Sequence, residues 1–157
     1  MSALLWNLLL ALAWVAATGV FSFNNLIVGF FLGFVALYVT RRVVGSPRYF
    51  NKVGKVFGLL GFFVWELLLA NLRVAYDVLT PRHYMRPGVI AVPLDAKSDT
   101  EITMLSNLLT LTPGTLSLDV SADRRVMYVH AMYIDDVDDV RRKIKEGFER
   151  RVLEVLR

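Results

Sequence analysis

Residues 3–40 read ALLWNLLLALAWVAATGVFSFNNLIVGFFLGFVALYVT and carry no charged side chain. A helix needs about 20 apolar residues, within a range of about 17 to 25, to cross the hydrocarbon core of a bilayer. We therefore predict membrane helices at about residues 3–21 and 24–40. The apolar part of the second helix is short, so the helix spans the bilayer only if the residues on either side of this part are included. Gly29 and Gly33 are four residues apart, a spacing that permits close helix approach, although both glycines also suit any membrane helix.

A third apolar segment lies within a predicted helix at about residues 53–79. A helix turns about 100° per residue, so Glu66, Arg73 and Asp77 lie on one side of it. A carboxylate inside a membrane is costly and usually faces protein or water rather than lipid. We predict that this side faces a partner subunit or a polar cavity, and that Glu66, Asn71, Arg73 and Asp77 form an interface or an ion path.

The C-terminal part has the composition of a water-exposed domain, with acidic and basic residues nearly balanced after Pro93. A linker at 80–88, marked by Pro81 and Pro87-Gly88, separates it from the helices. Its patterns predict strands at 89–94, 116–120 and 125–134 and helices at 99–110 and from 135 onward. The strand at 125–134 is apolar on both faces, which indicates a central position. The predicted fold is a membrane protein with two or three N-terminal helices (1–79), followed by a small α+β domain of β-α-β-β-α order (89–157).

Several classes of site are not indicated by this sequence. It has no cysteine, which excludes disulfides, thiolate chemistry and most structural zinc sites. His83 and His130 have no ligand neighbours at metal spacing, and the aspartates at 135–139 are more typical of a solvated helix start than of a cation site. The basic residues at 41–55 adjoin apolar segments, which favours lipid headgroups over nucleic acid. We expect no catalytic residue, cofactor, metal or nucleic-acid partner.

The motif NLLTLTPGTLSLDV at 107–120, followed by YVH at 128–130, resembles the E subunit of the Mrp-type (also Mnh or Pha) multisubunit cation/proton antiporters. The resemblance covers essentially the whole chain. One departure is Leu108, where the family often has a small polar residue. We predict that Pro113-Gly114 forms a type II turn. The motif residues singled out as candidates are Asn107, Thr110, Thr112, Pro113, Gly114 and Thr115.

The resemblance implies a required accessory subunit without an active site of its own, in a complex whose large subunits carry the transport chemistry. Its partners would be the other membrane subunits and the lipid bilayer, in the cell membrane of a prokaryote. Two alternatives stay open: direct participation in ion translocation through Glu66, and the equivalent subunit of a membrane-bound hydrogenase-type complex. A membrane-anchored regulatory module outside any antiporter is a third hypothesis.

The topology is predicted by two conflicting arguments. The cations at 41–55 place that loop in the cytoplasm by the positive-inside rule, and three full crossings would then put the C-terminal domain outside. The family resemblance implies a cytoplasmic domain instead. The loop and the C-terminal domain can both be cytoplasmic if either the hairpin or the third helix does not cross the bilayer fully. We predict a cytoplasmic C-terminal domain.

Overall fold

The structure, a computed structural model, describes residues 3–40, 47–80 and 85–157. Pro81 and His83 of the predicted linker, and the start of the basic segment 41–55, lie outside the described residues. The chain divides into two compact units, Met1–Gly54 and Lys55–Arg157.

The first unit contains a helical hairpin of α1 (Ala3–Thr18) and α2 (Phe23–Val39). Helix α1 ends three residues before the predicted end, because Gly19 adopts a φ of +66° and takes the chain out of the helix. Ser22 begins α2 by accepting a hydrogen bond from the backbone N–H of Asn25. Both helices are apolar, with 16 and 17 residues.

The two glycines of α2 are the points of closest approach in this hairpin. A Cβ added at Gly29 would lie 2.9 Å from the carbonyl oxygen of Ala11 and 3.0 Å from the Cβ of Trp14. At Gly33 it would lie 2.5 Å from Oδ1 of Asn7, a residue that is fully buried. The spacing of small residues therefore acts in helix packing, which was one of the two interpretations of the sequence.

Asn25 closes the tip of the hairpin through its side chain. Its Nδ2 donates to Oγ1 of Thr18 at 2.7 Å and to the carbonyl oxygen of Val20 at 2.8 Å, and its Oδ1 accepts from the indole N–H of Trp14 at 3.0 Å. The polar break at 22–25 thus satisfies much of its own hydrogen bonding, which lowers the cost of placing it near apolar surroundings.

Helix α3 (Pro47–Leu79) begins earlier than the predicted residue 53. Proline suits the first turn of a helix because its φ is already helical and its missing N–H has no partner there. Within the described residues, the stretch Asn51–Leu79 of this helix is the one long and apolar enough to cross a membrane. From Lys55 onward α3 belongs to the same compact unit as the α/β fold that follows.

The α/β fold is a three-stranded antiparallel sheet in the order β1-β3-β2, with helices packed on one face. The elements are β1 (Gly88–Pro93), α4 (Asp99–Leu111), β2 (Thr115–Val120), β3 (Val126–Ala131), α5 (Val137–Arg142), a π-helical segment (Lys143–Glu149) and α6 (Arg150–Leu156). Strand β3 is central, as predicted, because it carries apolar residues on both faces. It is shorter than predicted, and the last helix begins at Val137, with Asp136 as its N-cap.

The core of this unit lies between the sheet and its helices. Met127 and Val129 of β3 are fully buried against Leu105 and Leu109 of α4 and against Phe148. Helix α4 begins with a capping box, in which the Ser98 hydroxyl accepts from the N–H of Glu101 and the Glu101 carboxylate accepts from the N–H of Ser98. Phe62 and Phe63 of α3 pack against the same core.

Candidate functional site

Glu66, Arg73 and Asp77 of α3 face the small domain of their own chain. Glu66 is half-buried and lines a hollow of about 290 Å³ with Phe62, Arg142, Lys143 and Arg150. From the sequence we predicted a partner subunit or a polar cavity on this side of α3, and the hollow is a polar cavity within the chain itself. The cations that line it surround the carboxylate with positive charge.

Further along α3, Arg73 and Asp77 line a polar cleft of about 430 Å³ together with Tyr133. The guanidinium carbon of Arg73 lies 5.3 Å from the centroid of the Tyr133 ring, within the range of a cation–π contact. Asp77 is only 3% exposed. The Asp77 carboxylate, toward which the phenol hydroxyl can donate, raises the pKa of Tyr133, and burial of the phenol raises it further.

Two polar atoms in this cleft have no hydrogen bond of normal geometry to any described residue: Oδ2 of Asp77 and the hydroxyl oxygen of Tyr133. A buried carboxylate oxygen without a partner costs free energy unless water or another molecule supplies a donor. The cleft is therefore a place where a hydrogen-bond donor would be stabilising.

The remaining wall of the cleft carries Asp135, Asp136 and Asp139, together with Arg86 and Lys143. These aspartates have local roles: Asp136 caps α5 by accepting from the N–H of Asp138, and Asp139 pairs with Arg142 and Lys143. Among the described residues, no group of three or more His, Cys, Asp or Glu side chains has the geometry to hold a metal ion. The aspartates therefore act within this part of the domain as a helix cap and as ion-pair partners.

Asn71, the fourth residue predicted on α3, is exposed and donates from Nδ2 to the carbonyl oxygen of Leu67 at 2.7 Å. The structure places it away from the cleft and from the hollow around Glu66, whose linings do not include it. Its amide is thus engaged by its own helix.

The motif residues from 110 to 115 form a self-contained turn between α4 and β2. Thr115 donates from its N–H to the carbonyl oxygen of Thr112 at 3.1 Å, and Gly114 has a φ of +89° at the third position, as a type II turn requires. The hydroxyls of Thr112 and Thr115 donate to the carbonyl oxygens of Leu108 and Leu109, at 2.9 and 2.5 Å. Thr110 bonds to Ser117 at 2.9 Å, whereas Asn107 is exposed on α4.

Two carboxylates that are buried in the small domain were not predicted from the sequence. Glu149 is 1% exposed; its Oε1 accepts from the N–H of Asp95 at 2.6 Å and of Ala96 at 2.9 Å, and its Oε2 lies 3.1 Å from Nζ of Lys145. Glu101 accepts from Nε of Arg157 at 2.9 Å. These bonds tie the loop after β1 to the last helix and to the C-terminal arginine.

Glu101 shows the strongest electrostatic stabilisation of these groups. The hydrogen bond from Arg157, followed by those from the backbone N–H groups of Lys97 and Ser98, lowers the pKa of Glu101 to about 2 from 4.5. The signal in the sequence was the spacing Ser98-x-x-Glu101 of a capping box. The arginine that completes the site is 56 residues away in the chain.

Comparison with known proteins identifies the family to which this arrangement of helices and small domain belongs. The family model of a Na⁺/H⁺ ion antiporter subunit matches residues 7–155. The chain belongs to the family of Na⁺/H⁺ antiporter E subunits. The E subunit of the antiporter from Bacillus subtilis is 40% identical over 154 residues, covering 98% of each chain. That of Alkalihalophilus pseudofirmus is 36% identical over 152 residues, covering 97% of this chain and 96% of the relative.

Two solved structures extend the comparison to whole complexes. A chain of the Mrp complex from a Dietzia species is 32% identical with a TM-score of 0.50, and the match covers 65% of this chain and 96% of that one. A chain of the membrane-bound sulfane sulfur reductase, an archaeal respiratory membrane complex, is 25% identical with a TM-score of 0.56, and the match covers 97% of this chain and 98% of that one. The family model and the curated relatives thus describe subunits of a Na⁺/H⁺ antiporter, which is a membrane transporter.

Proposed function

We propose that this chain is a non-catalytic accessory subunit of a multisubunit Na⁺/H⁺ antiporter, which supports assembly of the complex and thereby ion transport. The observation that carries the proposal is the direction of the charged residues on α3. Glu66, Arg73 and Asp77 all lie on the side of the helix that the small domain covers. These residues connect α3 to the small domain, so that the two form one unit to which partner subunits can bind.

The alternative, ion translocation through Glu66, fits these surroundings less well. A carboxylate that carries protons or sodium needs a site at which a cation can reside. The hollow around Glu66 carries Arg142, Lys143 and Arg150, with Glu146 as the other acidic residue. Their positive charge opposes a mobile cation near Glu66.

Replacing Glu66 with an uncharged residue distinguishes the accessory role from ion translocation through Glu66. We expect Glu66→Gln to leave the complex assembled, with sodium-dependent proton exchange in everted vesicles close to that of the wild type, because glutamine keeps the shape and hydrogen-bonding capacity. Glu154→Gln, which neutralises a half-exposed carboxylate of α6, is the matched variant. An assembled Glu66→Gln complex with lost exchange, beside a Glu154→Gln complex with normal exchange, would establish the ion path and overturn the accessory role.

A second candidate is the equivalent subunit of another membrane-bound complex. It is favoured by the similarity over 97% of the chain to a subunit of the sulfane sulfur reductase complex. Affinity purification of the full-length chain in mild detergent, followed by identification of the co-purified subunits, distinguishes the hosts. A chain that comes out of the membrane alone would contradict both proposals and would support the third hypothesis, a membrane-anchored regulatory module.

We further propose a multi-pass location in a prokaryotic cell membrane, with the C-terminal domain in the cytoplasm. The apolar hairpin and the family's place in membrane complexes support the location. The basic residues at 41–55 support a cytoplasmic position for the loop between α2 and α3.

A further inference from the structure

We propose that α3 does not cross the bilayer and instead lies along its cytoplasmic surface, with its outward face against anionic phospholipid. The outward face consists of exposed, uncharged residues on the side of α3 opposite the small domain: Val64, Trp65, Leu68, Leu72 and Leu79. The proposal goes beyond the accessory role and rests on the contacts of α3 and on the membrane location of the family.

The small domain covers the opposite side of α3 over most of its C-terminal half. Phe62 meets Phe148 edge to face, with ring centroids 5.1 Å apart, and the guanidinium of Arg151 lies 3.9 Å from the Phe62 ring centroid. Arg73 and Asp77 contact the domain at Tyr133. From Phe62 to Asp77 is a distance of about 22 Å along the helix axis, at 1.5 Å per residue.

These contacts are incompatible with α3 as a full crossing. The hydrocarbon core is about 30 Å thick, so a helix centred in it over residues 51–79 would place about residues 55–75 inside, including Phe62 and Arg73. The domain would go with them, including exposed cations such as Arg142 and Arg150. Each charge in hydrocarbon costs several kcal/mol or more. The part of α3 before Phe62 cannot cross alone, because it carries Arg48, Lys52 and Lys55 within about 22 Å, whereas residues 3–40, which include α1 and α2, carry no charge.

The exposed apolar side chains of the outward face nevertheless need to be shielded from water. Trp65, Leu72 and Leu79 are 61%, 67% and 85% exposed. No charged residue of α3 between 56 and 79 lies on this side, because the three that occur there point to the domain. Asn71 lies on this face, seven residues after Val64, and its amide is bonded to its own helix. A mainly apolar stripe of this kind is typical of a surface in contact with membrane or protein.

The charges beside the stripe favour an anionic lipid surface as the occupant. Lys52 and Lys55 are exposed on the first turns of α3, on the polar side of the helix. An amphipathic helix with basic residues along its polar side and aromatic residues in its apolar face is the pattern of a helix at the bilayer interface. Trp65, which is 61% exposed, supplies the aromatic residue.

This arrangement resolves the conflict over topology. If α3 stays on one surface, α1 and α2 make the crossings, and two crossings return the chain to the side from which it started. The basic residues at 41–55 and the C-terminal domain then both lie in the cytoplasm, as the positive-inside rule and the family resemblance each require.

Depth measurements along the outward face test the proposal. Single cysteines replace Val64, Leu68, Leu72 and Leu79 in a chain that naturally has none. The complex with its partner subunits is reconstituted in nanodiscs of phosphatidylethanolamine and phosphatidylglycerol and is spin-labelled. Collision rates with oxygen and with a water-soluble nickel chelate give the depth of each label. Leu9→Cys, exposed in the middle of α1, and Ala122→Cys, in the exposed turn after β2, serve as lipid and water controls.

We expect all four labels at a similar shallow depth, about 5–10 Å below the headgroups, because the helix lies parallel to the surface. A depth that is greatest at Val64, near the centre of residues 51–79, and decreases steadily toward Leu79, as for a spanning helix, would overturn the proposal. Labels reached by neither oxygen nor nickel would also overturn it, because a partner subunit would then cover the face. Replacing the anionic lipid with phosphatidylcholine should move the labels toward water, and unchanged depth would overturn the electrostatic part.

Discussion

Arg73 of α3 stacks over the ring of Tyr133, with 5.3 Å between the guanidinium carbon and the ring centroid. Tyr133 follows the central strand, so this contact joins the apolar helix directly to the end of the sheet. The buried carboxylate of Asp77 lies at the same place. One cluster of three residues thus fixes how the C-terminal half of α3 lies on the small domain.

We expect Arg73→Gln to destabilise the unit formed by α3 and the domain. The cation–π contact contributes about 0.5–2 kcal/mol, and Asp77 loses its nearest cation on α3. Thermal unfolding of the full-length chain in detergent, followed by near-UV circular dichroism, measures the change. Arg125→Gln is the control, because that side chain is 84% exposed in a surface turn. Equal midpoints for the two variants would refute a structural role for the contact.

Glu101 should make stability depend on acid pH. Its pKa is about 2 in the folded chain and 4.5 in the reference state, so its contribution is fully present above about pH 4.5 and is lost as the pH falls toward 2. We expect the difference in unfolding free energy between the wild type and Glu101→Gln to shrink across this window. Glu154→Gln, at a half-exposed carboxylate, is the control. Urea titrations at pH 6 and pH 3 would contradict this prediction if the Glu101→Gln difference were equal at both.

Gly29→Ala should disrupt the α1–α2 hairpin. The new Cβ would lie 2.9 Å from the carbonyl oxygen of Ala11, a backbone atom that cannot rotate away. Separating the helices costs about 1–3 kcal/mol. Gly58→Ala in α3 is a matched control, because nothing lies within 4 Å of its added Cβ. The yield of complex from solubilised membranes is the measurement, and a yield equally high for both variants would argue against close packing.

We expect Gly114→Val to affect the stability of the small domain more strongly than it affects ion transport. At a φ of +89° a β-branched residue is strained by about 1–3 kcal/mol. The space around Gly114 is adequate, since an added Cβ would come no closer than 3.4 Å to Tyr133. Gly114→Asn, which tolerates positive φ better, should be milder. Unchanged thermal stability together with lost exchange would identify a functional loop instead.

The side of the membrane that holds the small domain can be read from a cysteine in the turn after β2. Ala122 is a better position than Asp123, because Asp123 accepts hydrogen bonds from Ser121 and from the N–H of Arg125 and holds the turn. We expect Ala122→Cys to resist a membrane-impermeant maleimide in intact cells and to react after permeabilisation. Labelling of intact cells would place the domain outside the cytoplasm.

Much of the small domain was predictable from local chemistry. Ser98 and Glu101 have the spacing of a capping box, Pro113-Gly114 that of a turn, and the apolar residues on both faces of β3 indicate a central strand. Such features were predictable because the groups that stabilise them lie within a few residues of each other.

The last helix differs from the regular α-helix that its sequence predicted. Its apolar positions Val140, Ile144, Phe148 and Val152 are four residues apart each time, whereas an α-helix repeats every 3.6 residues. The segment Lys143–Glu149 adopts π-helical geometry, whose wider turn keeps these side chains on one face. Gly147 there permits the approach of Phe62, whose Cζ would lie 3.0 Å from an added Cβ.

The sequence by itself determined the apolar hairpin, the shared side of Glu66, Arg73 and Asp77 on α3, the central strand of the small domain and the family. These follow from periodicity, composition and short-range bonding. Only the tertiary structure decided what the charged side of α3 faces. The angle between Glu66, Arg73 and Asp77 is a property of the helix alone, but a partner subunit, a water path and the chain's own domain would satisfy it equally. The domain occupies that side because Phe62, Arg73 and Asp77 meet Phe148, Arg151 and Tyr133 from distant parts of the chain, and such long-range contacts leave no local pattern.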